Sequence, residues 1–201
     1  MLTLEQDLSL DALLANAWRS LEEGARNRKH VFHLGVVATV RGDAPSVRTV
    51  VLRKAIAETR TLVFHSDKRS EKIAELRANP NVSWLFYDPN LRVQLRLAGV
   101  ATLHFDDELA DLQWKNSKLT SRRCYISLPP LTKLDKAASG LPEWLLHRIP
   151  TLEESEAGRE NFAVVETRIH SLDWLWLNST GHRRARFVWR DGELDASWVA
   201  P

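Results

Sequence analysis

The sequence predicts a mainly β fold, a closed or nearly closed antiparallel barrel with peripheral helices, and three observations carry that reading. Runs rich in Val, Thr and Leu recur with turn residues close between them. Helical periodicity is confined to a few stretches. The regular strand–helix alternation of a parallel doubly wound sheet is missing, as are the Gly-rich phosphate loops of dinucleotide and P-loop folds.

The elements follow in order. From Leu4 to about Arg28, apolar Leu10, Leu13, Leu14, Ala17, Trp18 and Leu21 share one stripe, so residues 1–28 are expected to form an amphipathic helix. "VFHLGVVATVRGDAPSVRTVVLRK" reads as two strands around the turn signal "RGDAP". "RTLVFHS" is a third strand, "RSEKIAELRANP" a short helix stopped before Pro80, and "VSWLFYD" a fourth strand. "LRVQLRLAGVATLHF" alternates, with Arg92, Gln94 and Arg96 on one face and Leu91, Val93, Leu95 and Leu97 on the other. Gly99 interrupts it as at a bulge or bend. "DDELADLQWKNSKL" reads as a helix with acids in its first turn, residues 127–155 as a long irregular connection or lid, and the C-terminal runs as the last strands.

Composition bounds the function. Two hundred and one residues suit one compact domain with a small helical appendage, and 28 basic against 26 acidic residues demand no polyanionic partner. Cys124 stands alone, which excludes an internal disulfide framework and fits a reducing compartment. The N-terminal stretch resembles no secretory or transit signal and no run could span a bilayer, so a cytoplasmic protein without a membrane partner is expected.

Four groups could carry chemistry. Arg48 and Arg53 bracket an apolar strand segment, and their odd separation sends them to opposite faces; arginine suits phosphate or carboxylate. "FHSDKRSEK" crowds Lys68, Arg69 and Lys72 onto a helix start, against the usual preference for acids there. An anion held by backbone N–H groups and basic side chains would resolve that conflict; a solvated helix start is the plain alternative. Gln94 can donate and accept at the edge of a heterocycle. "WLWLNSTGHRRARFVW" interleaves indoles with Arg183, Arg184 and Arg186, a pattern that nucleic-acid sites also use. No His, Cys or acidic set has metal-ligand spacing, so no metal is expected, and Cys124 beside Arg122 and Arg123 lacks an evident histidine partner.

Taken in order, "RTVVLR", "FHSDKRSEK", "NPNVSWLFY", "VQLRLAG", "HRRARF" and the terminal "WVAP" resemble the pyridoxamine 5'-phosphate oxidase family, the FMN-binding split barrels, over roughly residues 30–201. The resemblance implies a six-stranded antiparallel split β-barrel over 29–201 and a homodimer with FMN at its interface. It implies that Arg48 and Lys72 bind the FMN phosphate with His65, Ser66, Arg69 and Ser70 nearby, and that the backbone of Val50, Val51, Leu52 and Arg53 lies against the flavin. Gln94 would bond the ring edge, and Trp176 and Arg186 would enclose the ring. Arg53, Trp114, Lys118, Ser121 and Arg183 are the counterparts of the substrate-binding set, and Arg183 and Arg186 are the candidate catalytic residues. "HRRAR" departs from the family's R-x-H substrate element, which points to a related branch with another small-molecule substrate. The implied activity is hydride transfer from an amine or alcohol to flavin N5 with reoxidation by O2. Two alternatives stay open: an FMN-binding NAD(P)H-dependent reductase, and a non-catalytic barrel that binds nucleotides or nucleic acid. The leading reading includes no nucleic-acid partner.

Overall fold

Ser9 starts the first helix: its hydroxyl accepts from the Ala12 N–H at 3.2 Å, and α1 runs over Leu10–Arg26. The structure, a computed structural model, describes residues 9–201, so the part of the expected helix from Leu4 to Leu8 lies outside the described residues. Leu13, Ala17, Trp18 and Leu21 are buried at helical spacing and join the main core. Gly24 lets the helix close on the turn Val31–His33, because a Cβ there would lie 2.7 Å from the Phe32 backbone. His33 fastens the same junction by donating from Nδ1 to the Gly24 carbonyl at 2.8 Å.

Nine strands form one antiparallel sheet among the described residues. They are β1 (Leu34–Arg41), β2 (Ala44–Val51), β3 (Lys54–Ile56), β4 (Thr61–Asp67), β5 (Asn81–Asp88), β6 (Val93–His104), β7 (Phe162–Trp176), β8 (Arg183–Arg190) and β9 (Glu193–Val199). Six of them, in the order β2-β1-β5-β6-β7-β4, make the barrel wall; β3 continues from β4, and β8 and β9 fold off β7. No ladder joins β2 to β3 or β4, so the barrel is split rather than closed. Sequence periodicity missed β3, three residues long and without alternation of its own.

Alternation sets two faces. Val37, Trp84, Leu97 and Leu172 point inward and are fully buried, with Trp84 stacked on Phe86 at 5.6 Å and bonded through Nε1 to Thr167 Oγ1 at 3.3 Å. The outer face is continuous across strands: Thr49, Val36, Leu85, Arg96, Asp173 and Arg186 form one row across β2, β1, β5, β6, β7 and β8. At Gly99 the β6–β7 register shifts, so the bend expected there is a bulge. Arg92 does not share the strand face with Gln94 and Arg96. It sits at φ 56 in a turn whose Asn90 and Leu91 N–H groups are held by Asp88 Oδ1.

Outside the barrel lie the short helices α2 (Glu71–Ala78), α3 (Glu108–Lys115) and α4 (Leu119–Arg122). A second, smaller core forms where Ala110 and Trp114 of α3 meet Val63, Phe162 and Tyr125. Residues 128–150 are irregular as expected, but pinned: Leu128 N–H donates to Gly140 at 2.9 Å, and Leu145 is buried. The segment ends at α5 (Leu152–Ser155), whose Thr151 and Glu154 form a capping box.

Candidate functional site

Two recesses meet along β4, one on each side of the dipeptide His65–Ser66. The first is a cradle at the start of α2. Ser66 and Ser70 are buried with their hydroxyls 3.0 Å apart, and Lys72 Nζ donates to Ser66 Oγ at 3.3 Å. Ser70 occupies the N-cap position but makes no capping bond; its hydroxyl goes to the Asp67 carbonyl at 2.7 Å instead. The first turn of α2 therefore has no side-chain acceptor on it, and its positive end faces the same hydroxyls and ammonium. Burial lowers the Lys72 pKa from its ordinary value, and the nearby Arg48 guanidinium lowers it further. A partly dehydrated cation beside a second cation and two hydroxyls suits a phosphate.

Arg48 enters the cradle from the inner face of β2, tethered on three sides. It donates to Ser46 Oγ at 2.6 Å, to Thr39 Oγ1, and to Glu75 at 2.7 Å. Glu75 is itself buried on α2. Burial would raise its pKa, but the Thr39 hydroxyl and the Arg41 and Arg48 guanidiniums outweigh burial and bring it down to about 2. Its charge fixes the Arg48 guanidinium in place. Arg69, expected beside the phosphate, is committed elsewhere: it pairs with Asp67 at 2.6 Å and donates to the Ser127 carbonyl at 3.0 Å.

The second recess is a cavity of about 490 Å³ between the end of α1, the end of β2, β4 and the α3–α4 turn. Val51, Arg53 and His65 line it, as do Lys118 and Ser121. Arg53 lies beyond the end of β2, its N–H anchored on the Val63 carbonyl at 2.8 Å. Val50 and Leu52 turn into the core. His65 Nε2 faces Gln113 Oε1 at 3.3 Å, and its ring packs edge-on against Phe162 at 4.8 Å. Burial, then the charge of Arg53, lowers the His65 pKa to about 4, so the ring is neutral at pH 7.

Trp114 does not reach this cavity. It is buried in the second core and donates its indole N–H to Glu156 at 3.0 Å. Gln113 of α3 and Ser117 just beyond its end line the cavity instead, with Arg28 and His33 from the α1–β1 junction. None of these four was singled out from sequence. No periodic signal marks the first pair: Gln113 borders the Ala110–Trp114 stripe of α3, and Ser117 lies past the end of that helix.

The remaining candidates fall in two places. Trp176 and Arg183 are register partners on the inner side of the β7–β8 hairpin, with the guanidinium 5.6 Å from the ring centroid. Gln94 and the exposed Arg186 lie on the outer face of the sheet. One chain thus holds Arg48 and Lys72 at an α2-covered rim and presents Gln94 and Arg186 on its outer wall.

The family model described as "Pyridoxamine 5'-phosphate oxidase, FMN-binding domain" matches residues 14–105, which include Arg48, Lys72 and Gln94. A pyridoxine/pyridoxamine 5'-phosphate oxidase of Acinetobacter baylyi is 30% identical over 103 residues, 51% of this chain and 46% of that protein. One from Acinetobacter baumannii is 27% identical over 136 residues, 68% of this chain and 59% of that protein. The chain thus spans about half the length of these relatives. In structure, a pyridoxamine 5'-phosphate oxidase-related, FMN binding protein from Nostoc punctiforme superposes with a TM-score of 0.69 at 24% identity, covering 98% of this chain and 100% of that one. PhzG from Burkholderia lata, solved with tetrahydrophenazine-1-carboxylic acid, gives 0.68 at 17% identity, covering 100% and 98%. These two likenesses establish the fold. Residues 14–105 thus match the FMN-binding domain of the pyridoxamine 5'-phosphate oxidases, and the chain as a whole has the split-barrel fold of the two solved structures.

Proposed function

We propose that the protein is an FMN-dependent oxidoreductase acting on a small amine or alcohol, and that it works as a homodimer. The observation that carries the cofactor assignment is the cradle: Ser66, Ser70, Lys72 and Arg48 converge at the uncapped start of α2. The crowding of cations on a helix start, unfavourable on its own, is relieved by a phosphate dianion. The adjoining cavity then takes the flavin ring edge and the substrate, with Val51, Arg53 and His65 as its wall.

FMN, when bound, supplies the two-electron chemistry, accepting a hydride equivalent at N5 and passing electrons to O2. The chain supplies binding and orientation. Ser66 and Ser70 hydroxyls, Lys72 and Arg48 hold the phosphate, Glu75 keeps the Arg48 guanidinium oriented, and Arg53 offers a cation to an anionic substrate group. Donation from His65 Nε2 to Gln113 leaves Nδ1 as an acceptor. Arg183 over Trp176, together with Arg186, is assigned to substrate positioning and to stabilising developing negative charge. Because Gln94 and Arg186 lie on the outer face, a second copy is needed to bring them to the flavin of the first. The relatives named pyridoxine/pyridoxamine 5'-phosphate oxidase support the reaction class.

Absorbance titration with FMN and with riboflavin, followed by anaerobic addition of pyridoxamine 5'-phosphate, tests this reading. Saturable FMN binding, tighter than riboflavin by tenfold or more, is expected from charge-assisted phosphate contacts worth about 1.5–3 kcal/mol each. Bleaching by the amine would support the oxidase. Binding without bleaching by that amine, but with bleaching by NADPH, would replace the oxidase by a reductase; no flavin binding would overturn the proposal.

A further inference from the structure

The cavity beside β2 holds cations that the flavin does not account for. None of its lining residues is Asp or Glu, whereas it includes Arg28 from the α1–β1 junction, Arg53 after β2 and Lys118 at the start of α4. Three other buried or half-buried arginines are neutralised by acids: Arg48 pairs with Glu75, Arg69 with Asp67 and Arg122 with Glu156. Arg28, Arg53 and Lys118 make no ion pair and no side-chain hydrogen bond among the described residues. Arg26, which also lines the cavity, is instead 3.6 Å from Glu22 and is spoken for. The charge of Arg53 acts inside the recess, since it helps to keep His65 unprotonated.

The three cations stand on different walls. Arg28 comes from the helix end held by the Gly24–Phe32 contact and the His33 bond, so its backbone is placed by packing rather than by a free loop. Lys118 approaches from the α3–α4 turn, where its carbonyl accepts the Ser121 N–H at 2.8 Å and the Arg122 N–H at 3.0 Å. Arg53 stands on the β2 side. A ligand with a single anionic group would leave at least one of these cations uncompensated in a recess with no acid of its own.

We propose that the substrate of this site is a small molecule carrying two separate anionic groups, carboxylate or phosphate, one held by Arg53 and Lys118 and the other by Arg28. The proposal rests on the reading of the cavity as the substrate side of the flavin site. Arg28 is on this account a specificity-determining residue: it selects ligands with two separate anionic groups over those with one.

Calorimetric titration of the FMN-loaded protein at low ionic strength, in a buffer free of phosphate, tests this with three probes. Benzoate carries one carboxylate, isophthalate carries two across a ring, and phenyl phosphate carries its charge on one group. Isophthalate should bind about tenfold more tightly than benzoate, as expected for one added charge-assisted contact. In R28A that preference should shrink to about twofold or less, while R190A, altered on exposed β8 away from the cavity, should keep it. Equal affinity for benzoate and isophthalate, or an R28A protein that keeps the preference, overturns the proposal. So does phenyl phosphate binding as tightly as isophthalate with no loss in R28A. If the protein takes up no FMN, the flavin reading fails separately. The same titrations on the flavin-free protein then decide the dianion preference by the same criteria.

Discussion

His65 lies where β4 meets the cavity, and both burial and the Arg53 guanidinium oppose its protonation, holding its pKa at about 4 against 6.5 for an unperturbed ring. The folded value is lowered, so between these limits the unfolded chain takes up a proton that the folded chain does not. Stability is therefore full above about pH 6.5 and falls as the pH drops towards 4, by at most about 3 kcal/mol from this residue. Urea unfolding at pH 7.5 and pH 5 should show the loss, and His65→Asn should lose less over the same interval; equal losses would remove His65 as the cause. At this scale the sequence disclosed residue types better than their surroundings. Arg48, Ser66, Ser70 and Lys72 were legible as a set because they fall within two short motifs, and the structure brings them together. The surroundings of Arg69 and Trp114 were less legible: the Ser127 carbonyl and Glu156 that they meet are distant in sequence and brought to them by three-dimensional packing.

Among the elements, β6 and β7 bear the greatest geometric demand, since together they run the length of the barrel and change register midway. Gly99 makes the change possible: a Cβ there would lie 2.4 Å from the Arg168 carbonyl oxygen and 2.8 Å from Thr167 Cγ2. Neither the β7 backbone nor the buried Thr167 has room to give. Gly99→Ala should thus destabilise the fold by about 1–3 kcal/mol, the usual range for forced overpacking. Its denaturation midpoint should fall with the slope unchanged, and a midpoint equal to that of the parent would show that the bulge tolerates a side chain. The bulge itself was readable from one glycine in an otherwise alternating run. The short β3 and the pinned course of residues 128–150 were not, because the former is too brief for a period and the latter is held by isolated contacts such as Leu128 to Gly140.

For the whole molecule, the decisive feature is an apolar groove on the outer wall of the sheet. Val36, Ala38, Val47, Leu85 and Ala98 line a groove of about 400 Å³, and Val47 at its border is 61% exposed. Gln94 and Arg186 belong to the same outer face, flanked by the Arg96–Asp173 pair at 3.0 Å and the Arg184–Asp173 pair at 2.8 Å. An apolar centre with a charged border is the arrangement of a surface that meets another protein surface. If a second copy covers it, the isologous contact brings the Gln94 of one chain toward the recess of the other. Val47→Glu places a charge in that contact at a position already exposed in the single chain, so the fold should survive while association fails. The expected result is a dimer for the parent and a monomer for the variant by light scattering, with circular dichroism unchanged and FMN affinity reduced at least tenfold. A parent that is monomeric at the concentration where it binds FMN tightly would separate the flavin site from dimerisation. Gln94 and Arg186 would then have to be assigned to the outer wall alone.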